Sequence, residues 1–233
     1  MDAVAAVICA AGSSSRMGGV KKEFQKIDDR NSLTVLGSAA SAFAKTAFVE
    51  IIVIAINENT ETAARAALPP ELLSSSMPKI LFAAGGSTRR ASVFNALSVL
   101  AEYNPRYVLI HDGARPWVSA PLIAQIIEEV KKHGAAIPLL PLIDTPKECD
   151  APFAQPQSGA VFIKSHLKRA NTGIAQTPQG FRFPEILQAH EKAALETEDF
   201  TDDAEIWGRF CGPVAVIAGS PENRKITFPE DMK

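Results

Sequence analysis

The residues best suited to chemistry lie in three short stretches, each rich in small residues and each carrying fixed charge. The first is Ala10-Ala11-Gly12-Ser13-Ser14-Ser15-Arg16-Met17-Gly18-Gly19-Val20-Lys21-Lys22. Ala10, Ala11 and Gly12 have no bulky side chain to keep an anion from backbone N–H groups. Arg16 and Lys22 add positive charge on long, flexible stems. The combination suits a polyphosphate, and an ordinary strand-to-helix turn has a similar composition. The loop matches neither G-x-x-x-x-G-K-[ST] nor G-x-G-x-x-G.

The second stretch is His111-Asp112-Gly113-Ala114-Arg115-Pro116, directly after an apolar run. A carboxylate at the carboxyl end of a strand is placed to hold Mg²⁺ against phosphate oxygens; capping a turn is the plainer role for Asp112. The third is Gly85-Gly86-Ser87-Thr88-Arg89-Arg90-Ala91-Ser92. Glycines running into a helix start leave N–H groups free to read a polar ligand. Two arginines at a helix N-terminus oppose the helix dipole, and a bound anion would resolve the mismatch.

The elements that must position these stretches follow from periodicity. Apolar, β-rich runs at 4–9, 50–56, 79–82, 106–110 and 135–140 alternate with amphipathic helical spacing at 33–45, 60–68, 87–102 and 120–133. Ser119 before Pro121 is a helix start, and Gly134 after Lys131-Lys132-His133 is a helix stop. Alternation of this kind predicts an α/β fold: a mostly parallel Rossmann-like sheet with helices on both faces. The pattern breaks from Pro141 to Pro184, where Pro and Gln accumulate and a single short strand, 160–164, stands out. That stretch reads as a protruding arm. Helices at 185–196 and 202–210 and strands at 213–218 and 224–228 complete the expected order.

Bulk properties narrow the function. The 233 residues are 46% hydrophobic with a net charge of −2, so no global basic field draws the chain to nucleic acid. Cys9, Cys149 and Cys211 are too few and too scattered for a disulfide framework or zinc site. No apolar run is long enough to span a membrane, and the start lacks the features of a signal peptide. The expected setting is cytoplasmic, without membrane or nucleic-acid partners. His133, His166 and His190 are expected at the surface, Trp117 and Trp207 in packing, and His111 as a hydrogen-bonding residue at a strand end.

Taken in order, the segments 10–22, 85–92, 111–116, 144–145, 177–179, 201–204 and 223–227 resemble the 2-C-methyl-D-erythritol 4-phosphate cytidylyltransferase family of non-mevalonate isoprenoid biosynthesis. The resemblance implies transfer of CMP from CTP to the sugar-alcohol phosphate, with Mg²⁺, on a single nucleotidyltransferase domain covering 1–233. It also implies a homodimer in which 141–176 is an extended arm reaching the neighbouring subunit's site. By position, Arg16 and Lys22 match the family's transition-state stabilisers. Ala10, Ala11, Gly12, Gly85, Ser87, Ser92, Asp112 and Ala114 match its nucleotide contacts, with Asp112 also near the metal. Thr145, Arg169 and Lys225 match residues that position the acceptor. A second fused enzyme of the pathway is not expected in a chain of this length.

Several departures bear on these assignments. The family's Pro-Lys-Gln reads Lys21-Lys22-Glu23 here, so Lys21 competes with Lys22 for the catalytic role. Thr88 and Ala91 replace residues that are often acidic, and the local match around Arg169 is thin. A cytidylyltransferase for another polyol phosphate, such as ribitol 5-phosphate, would share the nucleotide half and differ in the arm. A non-catalytic nucleotide-binding regulator is the alternative of a different class.

Overall fold

The computed structural model describes residues 3–14, 17–27, 33–152, 159–197 and 199–232. Among them the strands are β1 (Val4–Cys9), β2 (Val49–Ile56), β3 (Lys79–Ala84), β4 (Tyr107–Asp112), β5 (Ala135–Pro141), β6 (Lys147–Cys149), β7 (Ile163–His166), β8 (Gly173–Ala175), β9 (Gln179–Arg182) and β10 (Ala215–Ala218). The helices are α1 (Val35–Ala44), α2 (Glu61–Ala66), α3 (Pro70–Ser74), α4 (Arg89–Ala101), α5 (Ala120–His133), α6 (Phe183–Ala193) and α7 (Asp203–Phe210).

One sheet runs β10-β5-β9-β4-β1-β2-β3, with β8 also paired to β5. β1, β2, β3 and β4 are mutually parallel, as are β5 and β10, whereas β9 is antiparallel to both its neighbours. Side chains alternate across the pleat. Val4, Ala6 and Ile8 therefore join Leu36 and Phe43 of α1 and Ile123 and Ile126 of α5 on one face. Ala5 and Val7 join Val93 and Leu97 of α4, Ile186 of α6 and Trp207 of α7 on the other. With both faces covered, the central strands have to be continuously apolar, and this makes them legible in the sequence.

The helix ends also follow the expected chemistry. The Ser119 side chain accepts the Leu122 N–H, and Gly134 closes α5 at φ 87°. Glu128 and Glu129 pair with Lys131 and Lys132 along its solvated face.

One expected strand fails to form, and one short strand goes unannounced by the sequence. Residues 224–228 form no strand; Ile226 donates a single backbone bond to Ala114. Conversely, β9 carries one large apolar side chain in four residues, too little to show a period. Gly180 is there because α5 lies directly on it: a Cβ would come within 2.5 Å of Val130. In the arm, β6 and β7 pair antiparallel, with β7 lying at the end of the expected 160–164 strand and beyond it. Gly173–Ala175 is already back in the central sheet, paired to β5.

Candidate active site

The topology itself opens a site. β1 and β4 are neighbours with Cys9 opposite Asp112, yet the chain leaves β1 towards β2 and reaches β4 from β3 by way of α4. The loops leaving β1 and β4 thus diverge at their carboxyl ends, where open α/β sheets bind ligands. A cleft of about 760 Å³ lies there. From the first loop it takes Ala11, Gly12 and Lys22; from the third stretch Gly85, Ser87 and Ser92; from the second Asp112 and Ala114; and from the C-terminal segment Lys225. Ala10 is buried beneath, its N–H on the Ala55 carbonyl. Arg16 lies outside the described residues.

The first loop leaves open space beside its backbone. A Cβ on Gly12 would meet nothing within 4 Å, so the empty volume beside it belongs to the cleft and not to packing. Gly18 and Gly19 turn the chain back at φ 63° and 84°, which an L side chain resists. The two lysines separate. Lys22 lines the cleft and donates to the Ile226 carbonyl at 2.7 Å, whereas Lys21 donates to the Gly12 carbonyl.

Gly85 and Gly86 are fixed by close approach, since a Cβ would come within 2.5 Å of Ala11 and 2.4 Å of Ala91 respectively. Thr88 caps α4 by accepting the Ala91 N–H. Ser92 donates to the Thr88 carbonyl and accepts the Gly86 N–H, so the turn that presents Ser87 is pinned from inside.

Asp112 is the electrostatic centre. Its Oδ2 accepts from Lys225 at 2.8 Å, with Arg115 at 3.7 Å, and its Oδ1 faces Arg89 Nε at 3.4 Å. Burial by itself would raise this carboxyl, but Arg89, Lys225 and Arg115 outweigh it and hold it well below the usual carboxylate range. Asp112 therefore stays ionised at any physiological pH. No cluster of three acidic, His or Cys ligands exists among the described residues. The ionised Asp112 at the cleft nonetheless fits Mg²⁺, which takes one or two carboxylates and fills its shell with ligand oxygens and water.

The backbone of Asp112 is held by a network that closes in one direction only. Thr177 Oγ1 accepts the Asp112 N–H and lies 3.0 Å from His111 Nδ1, and His111 Nε2 lies 3.1 Å from the Arg115 carbonyl. The Thr177 hydroxyl must then donate to Nδ1, leaving the proton on Nε2 of a neutral ring. Burial pushes the His111 imidazole down from 6.5 to about 4, consistent with that tautomer. Between those values the unfolded chain binds a proton that the folded chain refuses. Stability is therefore full above pH 6.5 and is lost as pH falls towards 4, by up to about 3 kcal/mol. Urea titrations at pH 7 and pH 4.5 are expected to show this loss in the wild type and a smaller one in His111→Gln.

The C-terminal segment is stapled to the same edge. Gln176 donates to the Ser220 and Asn223 carbonyls, Asn223 donates to the Thr177 carbonyl, and Arg115 donates to the Asn223 carbonyl. These bonds place Lys225 over Asp112 without a strand. Gln179 donates to Asp202 and accepts the Ala204 N–H, which fixes the start of α7 beside the cleft. The Thr177-Pro178-Gln179 and Thr201–Ala204 motifs are thus struts for the site.

Thr145 and Arg169 stand apart. Both are exposed in the arm and neither lines the cleft; Arg169 donates to the Ile143 carbonyl, two residues from Thr145. His190, expected at the surface, is fully buried with Asp203, because α6 and α7 close over it. Arg89, which the sequence brings to the same sheet edge without a distinct role, reaches Asp203 with its Nη1 at 2.8 Å. Its unfavourable position at a helix N-terminus is the available signal.

A mostly parallel sheet with a small-residue loop after β1 and an ionised aspartate after β4, at the point where strand order reverses, is the arrangement in which open α/β sheets bind ligands. The chain belongs to the 2-C-methyl-D-erythritol 4-phosphate cytidylyltransferase family, whose profile matches residues 4–233. A curated relative, the bifunctional enzyme IspD/IspF of Bradyrhizobium sp. (strain ORS 278), is 41% identical over 232 residues, covering 98% of this chain and 54% of the relative. The chain thus spans about half the length of the curated relatives it matches. Among solved structures it is similar to 4-diphosphocytidyl-2C-methyl-D-erythritol synthase from Anaerococcus prevotii DSM 20548, with TM-score 0.82 and 26% identity over 99% of this chain and 93% of that one. It is also similar to the 2-C-methyl-D-erythritol 4-phosphate cytidylyltransferase of Francisella tularensis, with TM-score 0.76 and 29% identity over 99% and 96% of the two chains. No helix among the described residues is long and apolar enough to cross a membrane.

Proposed function

We propose that this chain transfers CMP from CTP to 2-C-methyl-D-erythritol 4-phosphate, releasing pyrophosphate and forming 4-diphosphocytidyl-2-C-methyl-D-erythritol. The observation that carries the reading is the convergence of the three glycine- and charge-bearing stretches with Lys225 on one cleft, within a chain matched to that family along nearly its whole length.

The phosphate oxygen of the acceptor attacks the α-phosphorus of CTP, and the bond from that phosphorus to the bridging oxygen of pyrophosphate breaks. Two unit charges about 4 Å apart repel by roughly 4 kcal/mol at an effective dielectric near 20, so the approach of two phosphates needs cations. Lys22 and Arg16 meet the charge that moves onto the bridging oxygen and the departing pyrophosphate. Lys225, already on Asp112, offers its ammonium to the acceptor phosphate. Gly85, Ser87 and Ser92 hold the cytosine and ribose. The nucleophile is an anion from the start, so no general base is required, and positioning and charge stabilisation supply the rate. Asp112 would hold Mg²⁺, which when bound neutralises the triphosphate.

The acceptor side is completed by a second copy of the chain. Thr145 and Arg169 sit in the arm of residues 141–176, away from their own cleft. The arm exposes Ile143, Phe162, Ile163 and Leu167, with Ile143 at 86%, an apolar surface that a homodimer would cover. On this reading the chain is one nucleotidyltransferase domain, 1–233, that works as a homodimer in the cytoplasm. Arg169→Ala and Lys225→Ala are each expected to raise the acceptor KM more than the CTP KM. The reverse order in steady-state kinetics would move these residues to the nucleotide half.

Release of pyrophosphate from CTP, measured with 2-C-methyl-D-erythritol 4-phosphate and with ribitol 5-phosphate, tests the proposal. A higher kcat/KM for the methylerythritol phosphate is expected. Preference for ribitol 5-phosphate, or tight CTP binding with no turnover on either, would overturn it.

A further inference from the structure

Behind Asp112 lie a buried carboxylate and imidazole that the reaction as described does not use. Asp203, the first residue of α7, and His190, in the last turn of α6, are both 0% exposed. Asp203 Oδ2 takes Arg89 NH1 at 2.8 Å, and His190 Nε2 lies 3.2 Å from Asp203 Oδ1. The carboxylate cannot move with its helix: Asp202 caps α7 by accepting the Glu205 N–H, and Gln179 grips the residues on either side of Asp203.

The distances decide what Arg89 does. Its short contact is to Asp203, and its contact with Asp112 Oδ1 is long, at 3.4 Å. Asp112 Oδ2 is occupied by Lys225, so Oδ1 is the oxygen left with only a weak partner. Were Asp203 uncharged, the same guanidinium would have one carboxylate to satisfy instead of two, and Arg–carboxylate pairs favour a two-pronged fork. Asp112 Oδ1 would then be taken up by Arg89.

We propose that Asp203, backed by His190, is a positioning residue that holds the Arg89 guanidinium off Asp112 and so keeps Asp112 Oδ1 available to a cation arriving with the nucleotide. The inference rests on the nucleotide-transfer reading above and adds to it a control on how much negative charge Asp112 presents.

Calorimetric titration of the full chain with CTP, in EDTA and in Mg²⁺ and without acceptor, reads this directly, because no turnover is involved. In the unaltered protein Mg²⁺ is expected to tighten CTP binding. In Asp203→Asn that tightening is expected to shrink by about fivefold or more, while affinity for metal-free CTP stays equal or rises because Arg89 is released. Adding Arg89→Gln to Asp203→Asn is expected to restore part of the metal dependence, which loss of structure alone would not do. His190→Asn, which keeps the ion pair and removes its backing, moves the same ratio less far, and it serves if Asp203→Asn fails to fold. Folded variants with the metal dependence of the unaltered protein would overturn the inference alone. Absence of CTP binding by the unaltered chain would overturn the functional reading and this inference with it.

Discussion

Lys22→Ala is expected to lower kcat by roughly a hundredfold or more while leaving the protein folded. Its place in the fold is the reason. Lys22 is the lysine of the pair that lines the cleft, and its ammonium is tied to the Ile226 carbonyl on the opposite lip. A triphosphate offers several charged oxygens, with which an ammonium bonds more strongly than with a neutral carbonyl. On the transfer reading the lysine meets the phosphates of the nucleotide, and its charge offsets the charge that develops as the bond to pyrophosphate breaks. Lys21→Ala removes a contact with the Gly12 carbonyl and is expected to cost far less turnover. Single-turnover kinetics on both variants checks the assignment; equal losses would mean the loop geometry, and not the Lys22 charge, is what matters.

Asp112→Asn is the second large effect, and it acts on both folding and chemistry. Arg89, Arg115 and Lys225 converge on this carboxylate, which is 12% exposed. Removing the anion takes the carboxylate from Lys225 and Arg115, while Arg89 keeps Asp203. Lys225 is 42% exposed, so solvent screens part of the loss and the cost is about 1–3 kcal/mol. The variant is expected to unfold at lower urea by that amount. CTP or pyrophosphate, whose charge replaces the lost anion, should recover part of the deficit. Turnover at saturating CTP should fall by roughly a hundredfold or more, because the phosphates lose the carboxylate proposed to hold Mg²⁺. Stability equal to the wild type in the absence of ligand would show that the three cations do not depend on Asp112.

What the sequence discloses and what it hides divide along physical lines. β1, β2 and β4 are covered on both faces, so uninterrupted apolar runs announce them, and hydrophobic periodicity alone places the loops at their carboxyl ends. β9 is hidden because Gln179 and Gly180 are there to grip α7 and to admit α5, and neither task leaves a hydrophobic period. The segment at 224–228 reads as a strand because Ile226 is apolar and buried. Its burial comes instead from packing with Ile27 and Val35 while Asn223 and Gln176 tie the chain down. The same logic applies within the site. Asp112 and Lys225 can be named from motif order alone, but the dependence of Arg89 on Asp203 and His190 joins residues about a hundred positions apart, and no local spacing records it. The burial of His190 is hidden for the same reason: a polar residue on an amphipathic helix reads as solvated until a second helix covers it.

On the proposed reading, one cleft joins a cytidyl group to a sugar-alcohol phosphate. CTP labelled at the α-phosphate, incubated with the full chain, Mg²⁺ and 2-C-methyl-D-erythritol 4-phosphate, tests it most directly. The label is expected to move into a diphosphate ester of the acceptor, with one pyrophosphate released per transfer and none without acceptor. Label that remains in CTP, or that appears as free CMP whether or not the acceptor is present, would contradict it.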